Sequence, residues 1–241
     1  MHCARRGRGE RGRIVAAQRV DTSWSDPRVI ATMGGAPAIA GDLNWLVVGY
    51  IRPAMPNGGG IDVNSVFAIR SGDGGATWRD TTMVHRSGTT PALDPVVLAT
   101  GGTIHMLWLQ DRTGDVYAEA ILHSESADGV AWSTPRDVSE PGSGIQSFAV
   151  VSDRFGRLHL VYQHSGGGGF PPEPPMRGFY TQWTGMRWSV PVQMFDWDGV
   201  GQVMSLTVSE LDSVYMAARL SAEDPLQELF LTSAYVGSAT N

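Results

Sequence analysis

The sequence predicts an all-β fold, a β-propeller built from four-stranded antiparallel blades. Three observations carry that expectation. A Trp recurs in "SWSDP", "ATWRD", "AWSTP" and "RWSVP", at Trp24, Trp78, Trp132 and Trp188, followed by a Ser in three of the four, with spacings of 54, 54 and 56 residues. Upstream of each Trp lie short runs rich in Val, Ile, Tyr and Trp, punctuated by Gly, Asp and Pro, which is how strands and their turns read. No window sustains the 3.6-residue period of an amphipathic helix. A repeat of this length holding four strands is a propeller blade.

Each unit can be followed strand by strand. The first full unit runs "APAIAG", "WLVVGYI", "SVFAIRS", then a turn ending at Trp78. The second runs "DPVVLA", "TIHMLWLQ", "VYAEAILHS", and the third "SFAVVS", "RLHLVYQ", "GFYTQW". The expected organisation is a leader over 1–13 and a propeller over 14–241, with blades at about 36–88, 90–142 and 145–198. Partial blades occupy 14–33 and 200–241. "RIVAAQRVDTSW" supplies a third and a fourth strand, and the C-terminal piece a first, second and third. The third strand is then present twice, which favours a stretch of a five- or six-bladed propeller. Open sheet edges at both ends would promote association.

Composition narrows the function classes. Only 17% of the 241 residues are charged and 30 are Gly, the profile of a turn-rich β protein. All 18 basic residues are Arg, and the net charge of -6 argues against a general nucleic-acid binder. Cys3 is the single cysteine, so no intrachain disulfide is possible. No apolar run reaches the ~18 residues of a membrane span. The start, "MHCARRGRGERGR", has no apolar segment of the kind a signal peptide carries and no interleaved aromatic, and reads as a disordered leader.

"SGDGGATW", from Ser71 to Trp78, sits between the third and fourth strands of a blade. Gly suits positive φ in a turn, Asp accepts backbone N–H bonds, and the indole is an apolar plug against the neighbouring blade. Other units keep the Trp and lose the polar detail: "SADGVAW" is one residue short and "WTGMRW" has no Asp. The turn therefore reads as scaffolding. Ser71, Asp73, Gly75, Thr77 and Trp78 resemble the Asp-box of the sialidase-like propellers, and the weaker "WS-x-P" ends resemble their degenerate repeats.

The resemblance implies roles at particular positions. Arg52, ending "VVGYIR", corresponds to an arginine that binds a substrate carboxylate; Asp94, in "ALDPVVL", to a pocket residue; and Arg219, in "VYMAARL", to a second strand-end arginine. Where the family carries its general acid this chain has "AMPNGGG", and the next carboxylate is Asp62. Where the family's Glu polarises a nucleophilic Tyr, this chain has Gln146 and Ser147. Retaining hydrolysis needs a proton donor and a nucleophile on opposite sides of the anomeric carbon. The expectation is a glycan-binding or glycan-processing propeller of exo-sialidase-like ancestry with an incomplete catalytic set, Asp62 and Asp94 being the candidate acids. The alternative is a non-catalytic propeller serving a protein partner or a structural role. An extracellular or periplasmic location goes with the first reading.

Independently of the resemblance, corresponding strand ends carry Arg52, Gln110 with Asp111 and Arg112, Gln163 with His164, and Arg219. A ring of Arg, Gln and His suits a polyhydroxylated or carboxylated ligand. No His forms a metal-ligand spacing with a carboxylate, and no metal or cofactor is expected. His105 and His159 hold equivalent places in two blades and read as strand residues. "SDRFG", with Asp153 and Arg154, reads as a plain β-turn, and "SGGGGFPPEPP" from Ser165 to Pro175 as a long loop between strands, a mobile insertion or a cover for one face.

Overall fold

The computed structural model describes residues 12–41, 45–54, 63–114, 118–140, 144–165, 176–197, 200–210, 213–221 and 228–235. All regular elements among them are strands. The leader up to residue 11, Asp62, the stretch around Asn57 and the loop at 166–175 lie outside the described residues.

Near the N-terminus, β1 (Ile14–Ala16) pairs with β4 (Arg28–Ala31), and β2 (Arg19–Val20) with β3 (Ser23–Trp24). Three four-stranded antiparallel meanders follow. The first comprises β5 (Gly35–Gly41), β6 (Leu46–Ala54), β7 (Val63–Ser71) and β8 (Arg79–His85). The second comprises β9 (Ala92–Thr100), β10 (Thr103–Gln110), β11 (Ala120–Ser126) and β12 (Arg136–Asp137). The third comprises β13 (Ile145–Ser152), β14 (Leu158–Ser165), β15 (Met176–Trp183) and β16 (Val192–Trp197). A three-stranded sheet closes the series with β17 (Val200–Val208), β18 (Ser213–Ser221) and β19 (Glu228–Tyr235).

The first strands β5, β9, β13 and β17 pack successively on one another, so they form the inner wall. Apolar cores lie between successive sheets. Val47, Val66, Met106 and Trp108 fill the seam between the first two blades, and Leu107, Ile121, Leu160 and Trp183 the next. Val161, Met204 and Met216 fill the third seam. Alternation along each strand sends one face to each neighbour. The blade-end indoles follow that plan: Trp78, Trp132 and Trp188 each pack on an inter-sheet core. Trp24, in the two-residue strand of a small hairpin, instead stands 69% exposed.

The turn at Ser71–Trp78 is a latch. Asp73 accepts from Ser71 Oγ at 2.7 Å, Thr77 N at 2.8 Å and Thr77 Oγ1 at 2.6 Å, while Gly75 N donates to Ser71 Oγ at 2.8 Å. Those donors hold the Asp73 carboxyl down at about 2, the Thr77 hydroxyl contributing most. Gly74 and Gly75 take positive φ, as the turn requires. Contrary to the sequence expectation, the shorter "SADGVAW" keeps the polar detail. Ser126 Oγ donates to Asp128 at 3.1 Å, Gly129 N donates to Ser126 Oγ, and Val130 and Ala131 donate to Asp128. One residue fewer shifts which amides bind, not whether they do. The Ser after the Trp also recurs in one role: Ser25, Ser133 and Ser189 each accept a backbone N–H from the paired strand, at 3.0 Å in all three cases.

Candidate functional site

Each inner strand is irregular at the same end. Ala36 and Pro37 oppose Tyr50, and Asp94 and Pro95 oppose Trp108, where the register skips. Gln146 and Gln202 are the extra residues in β13 and β17. Bulges of this kind re-aim side chains. Ala36 and Asp94 hold φ of 46° and 44°, a left-handed backbone that non-glycine residues rarely adopt. A following Pro pushes its predecessor away from the right-handed helical region, and "AP" and "DP" were the sequence signal for these bends. Asp94 is exposed, and of the four bulge positions it alone carries a carboxyl group.

The residues expected to form a polar ring stand at the strand ends next to these bulges, in different states. Gln163 is fully buried, and neither amide atom has a hydrogen-bond partner. Ser147, its direct cross-strand partner, has a buried hydroxyl that is equally unsatisfied. Directly opposed residues share a face of the sheet, so these groups lie side by side. His164, on the opposite face, is half-buried with an unpartnered Nδ1; burial lowers its proton affinity, with Arg177 adding to the effect.

Gln110 is committed to the scaffold. Its amide nitrogen donates to Thr90 O at 3.0 Å and Asp111 O at 2.8 Å, and its oxygen accepts from Trp108 Nε1 at 3.3 Å. Asp111 is buried and caps its own loop by accepting from Thr113 N at 3.0 Å. Arg112 is exposed and ion-paired with Asp137. Arg52 faces away from this group, toward the N-terminal strands, with its guanidinium 3.9 Å over the Phe67 ring. Arg219 occupies the corresponding end of β18. The structure thus brings Gln163 to Ser147 and sets Asp94 at the same end of the inner wall, while Arg52 lies in a separate cleft.

Two further polar networks were not legible in the sequence. His105 and His123 stack with ring nitrogens 3.0 Å apart, and Trp188 Nε1 donates to His123 Nδ1 at 3.2 Å from the next blade. Burial holds His105 at about 4 and His123 at about 3, the latter pushed further by His105 and Arg136. Together with Glu125 they make a set whose ligand atoms lie within 4.8 Å. The Trp188 N–H, however, fixes the His123 proton on Nε2, the atom a metal shared with His105 would need, and Glu125 is paired to Arg136 at 3.1 Å. The dyad therefore reads as an inter-blade clamp.

Asp153 is more than a turn residue. It accepts from Phe155 N and Arg157 N at 2.9 Å, from Arg157 Nε at 2.5 Å, and contacts His159 Nε2 at 3.2 Å. His159 Nδ1 in turn meets Tyr180 OH at 2.8 Å. Burial raises the Asp153 proton affinity, but the bonds from Arg157 and His159 outweigh it and leave the carboxyl below its ordinary value. Tyr180 is pushed up to about 12 by burial, the opposite of an activated nucleophile.

The chain has a β-propeller fold like that of sialidases. A Trypanosoma rangeli sialidase in complex with 2,3-difluorosialic acid superposes with a TM-score of 0.58 at 14% identity, over 92% of this chain and 39% of that one. Penicillium chrysogenum α-L-arabinanase complexed with arabinobiose gives 0.53 at 14% identity, over 90% and 69%. A Dyadobacter fermentans protein of unknown function gives 0.59 at 14% identity, over 83% and 65%. The chain spans about two fifths of the sialidases it matches. No family model and no curated protein matches the sequence. Among the described residues no helix is long and apolar enough to cross a membrane.

Proposed function

We propose that this chain binds a carbohydrate at the bulged end of its inner wall and descends from glycan-processing propellers. The observation that carries this reading is the pair Gln163 and Ser147, buried with three polar atoms unsatisfied. Leaving such groups without partners costs roughly 1–3 kcal/mol each. Both groups are covered in this structure, Gln163 at 0% exposure, so a saccharide reaches them only when the cover at this strand end opens. Its hydroxyls, which donate and accept, would then satisfy the amide oxygen, the amide nitrogen and the serine hydroxyl together. Asp94 adds an acceptor on a strained bulge, where non-glycine residues in left-handed backbone concentrate at functional sites. Similarity of fold to a sialidase and an arabinanase supports the ligand class. Arg219 and His164 complete the proposed rim, and an extracellular or periplasmic location accompanies this use.

Hydrolysis of sialosides is not part of the proposal. General acid–base help is worth ~10²–10⁴ in rate, and "AMPNGGG" and Gln146 stand where the resemblance implies the acid and the polarising Glu. The test is a panel of immobilised neutral and acidic oligosaccharides, with a fluorogenic sialoside assayed in parallel. Saturable binding without turnover is expected. Turnover abolished by Arg52→Ala would overturn the non-catalytic part and point to Asp62 or Asp94 as acid; binding to no glycan would overturn the whole. A second reading, a protein-interaction module, draws on the outer edge of the third blade, where Met186, Val190 and Val192 are exposed.

A further inference from the structure

We propose that Phe195 is the gate of the site at Gln163 and Ser147, and that it opens to admit a single sugar ring. The occupant rests on the carbohydrate reading above, whereas the gate rests on the register of the third blade. Ser147 pairs with Gln163, Gln163 with Gly178, and Gly178 with Phe195, so one row crosses all four strands from β13 to β16. Directly opposed residues share a face of the sheet, and this row has no side chain at its third position. Phe195 fills that notch. A Cβ added to Gly178 would collide with the Cδ1, Cε1 and Cζ atoms of the Phe195 ring. The ring therefore lies over the backbone of Gly178, beside the buried side chain of Gln163.

Chemistry and strand geometry separate a gate from ordinary core packing. A phenyl ring offers no lone pair and no N–H, so Phe195 covers Gln163 without satisfying either amide atom. An apolar residue would suit that neighbour better; an amide kept there calls for a polar occupant. Glycine inside a strand weakens it and often marks the close approach of a ligand. The strand that carries the ring is also free to move. Among the described residues β16 ends its sheet and pairs on one side only. That pairing is broken beside the ring: Gly178 opposes Phe195 and Phe179 opposes Gln193, which leaves Met194 as an extra residue. Bulges of this kind re-aim side chains. Phe195 packs on the third seam but is partly exposed, so its ring has an outward path to solvent. The space it vacates is about as broad as one sugar ring, with the Gln163 amide and the Ser147 hydroxyl along one wall.

The experiment reads accessibility at position 163 directly. In the full chain carrying Cys3→Ser, Gln163→Cys is labelled with methyl methanethiosulfonate under native conditions, alone and together with Phe195→Ala. Val161→Cys, buried on the same face of β14, is the control. A closed state that opens in ~0.1–10% of molecules implies labelling at 163 about ten-fold faster or more once the ring is gone. Labelling at 161 should not change. Gly178→Ala, which displaces the ring, should accelerate labelling at 163 in the same way. Unchanged labelling at 163 would overturn the gate. Equal acceleration at 161 and 163 would overturn it too, because loss of the ring would then loosen the whole seam. Calorimetric titration with L-arabinose and with N-acetylneuraminate tests the occupant separately. A sugar that binds the unaltered chain should bind Phe195→Ala at least as tightly, since no molecules remain closed; weaker binding would make the ring a contact surface and overturn the gate. Binding of neither sugar to Phe195→Ala would overturn the single-ring occupant, while the labelling still decides the gate.

Discussion

Mild acid should loosen this fold through the His105–His123 clamp. In the unfolded chain both imidazoles protonate near the ordinary value of 6.5, whereas burial holds them at about 4 and about 3 in the folded chain. Between those limits the unfolded state binds more protons, so stability is full above pH 6.5 and falls as pH drops through the window. Each neutral buried His contributes a slope of up to ~1.4 kcal/mol per pH unit. Two partly titrating groups then cost about 2 kcal/mol between pH 6 and pH 5, a large share of the ~5–15 kcal/mol of a typical domain. The lowered carboxyls of Asp73, Asp128 and Asp153 lose their contributions as pH falls through the ordinary Asp value of 3.8, below the pH 6 to 5 interval. The assay is urea unfolding followed by Trp fluorescence at pH 7.5, 6 and 5. The double variant His105→Leu with His123→Phe should be less stable at pH 7.5, because the Trp188 N–H loses its acceptor, yet should show a shallower pH slope. His85 and His164, also lowered by burial, leave a residual slope. An unchanged slope in the double variant, or none in the parent chain, would refute the reasoning.

Excess Zn²⁺ should not raise the melting temperature of the unaltered chain, since the Trp188 N–H fixes the His123 tautomer; a metal-dependent rise in thermal melts would show that the set with Glu125 binds it. Gly49→Ala should destabilise by about 1–3 kcal/mol, because a Cβ there would stand 2.6 Å from Val97 Cγ2 and 2.8 Å from Met106 Cε; urea titration checks this. Asp73→Ala should lower the melting temperature by freeing the Ser71 and Thr77 donors while leaving glycan binding intact. Loss of binding with an unchanged melt would reverse that assignment.

Much of the fold was legible because it is local and repeated. The apolar run "TIHMLWLQ", bounded by turn residues, and the spacing of Trp78, Trp132 and Trp188 set the strands and their order. The latch at Ser71–Trp78 was readable for the same reason, since Ser71, Asp73 and Thr77 bond within one turn. What stayed hidden depends on the neighbouring blade or on register. His123 shows no pattern of its own, and its partner Trp188 is 65 residues away. Asp153 looked like a turn residue because its turn is genuine, but its second oxygen bonds a buried His from the next strand. The inner-strand bulges were foreshadowed by Ala36-Pro37 and Asp94-Pro95, although no local rule places them at one end of the wall. Gln163 is a candidate by its strand-end position alone, and Ser147 enters the sequence only as a residue standing where the resemblance implies a Glu; their lack of partners is a tertiary property.

The Gln163→Leu variant offers the most direct measurement. Leucine removes two buried, unsatisfied amide atoms at nearly constant volume, and relief of such groups is worth roughly 1–3 kcal/mol. The variant should therefore resist urea better than the parent chain while losing affinity for whichever oligosaccharide the panel identifies, by ten-fold or more for about 1.4 kcal/mol of lost hydrogen bonding. A variant that gains stability and binds the oligosaccharide as tightly as before would contradict a carbohydrate site at Gln163.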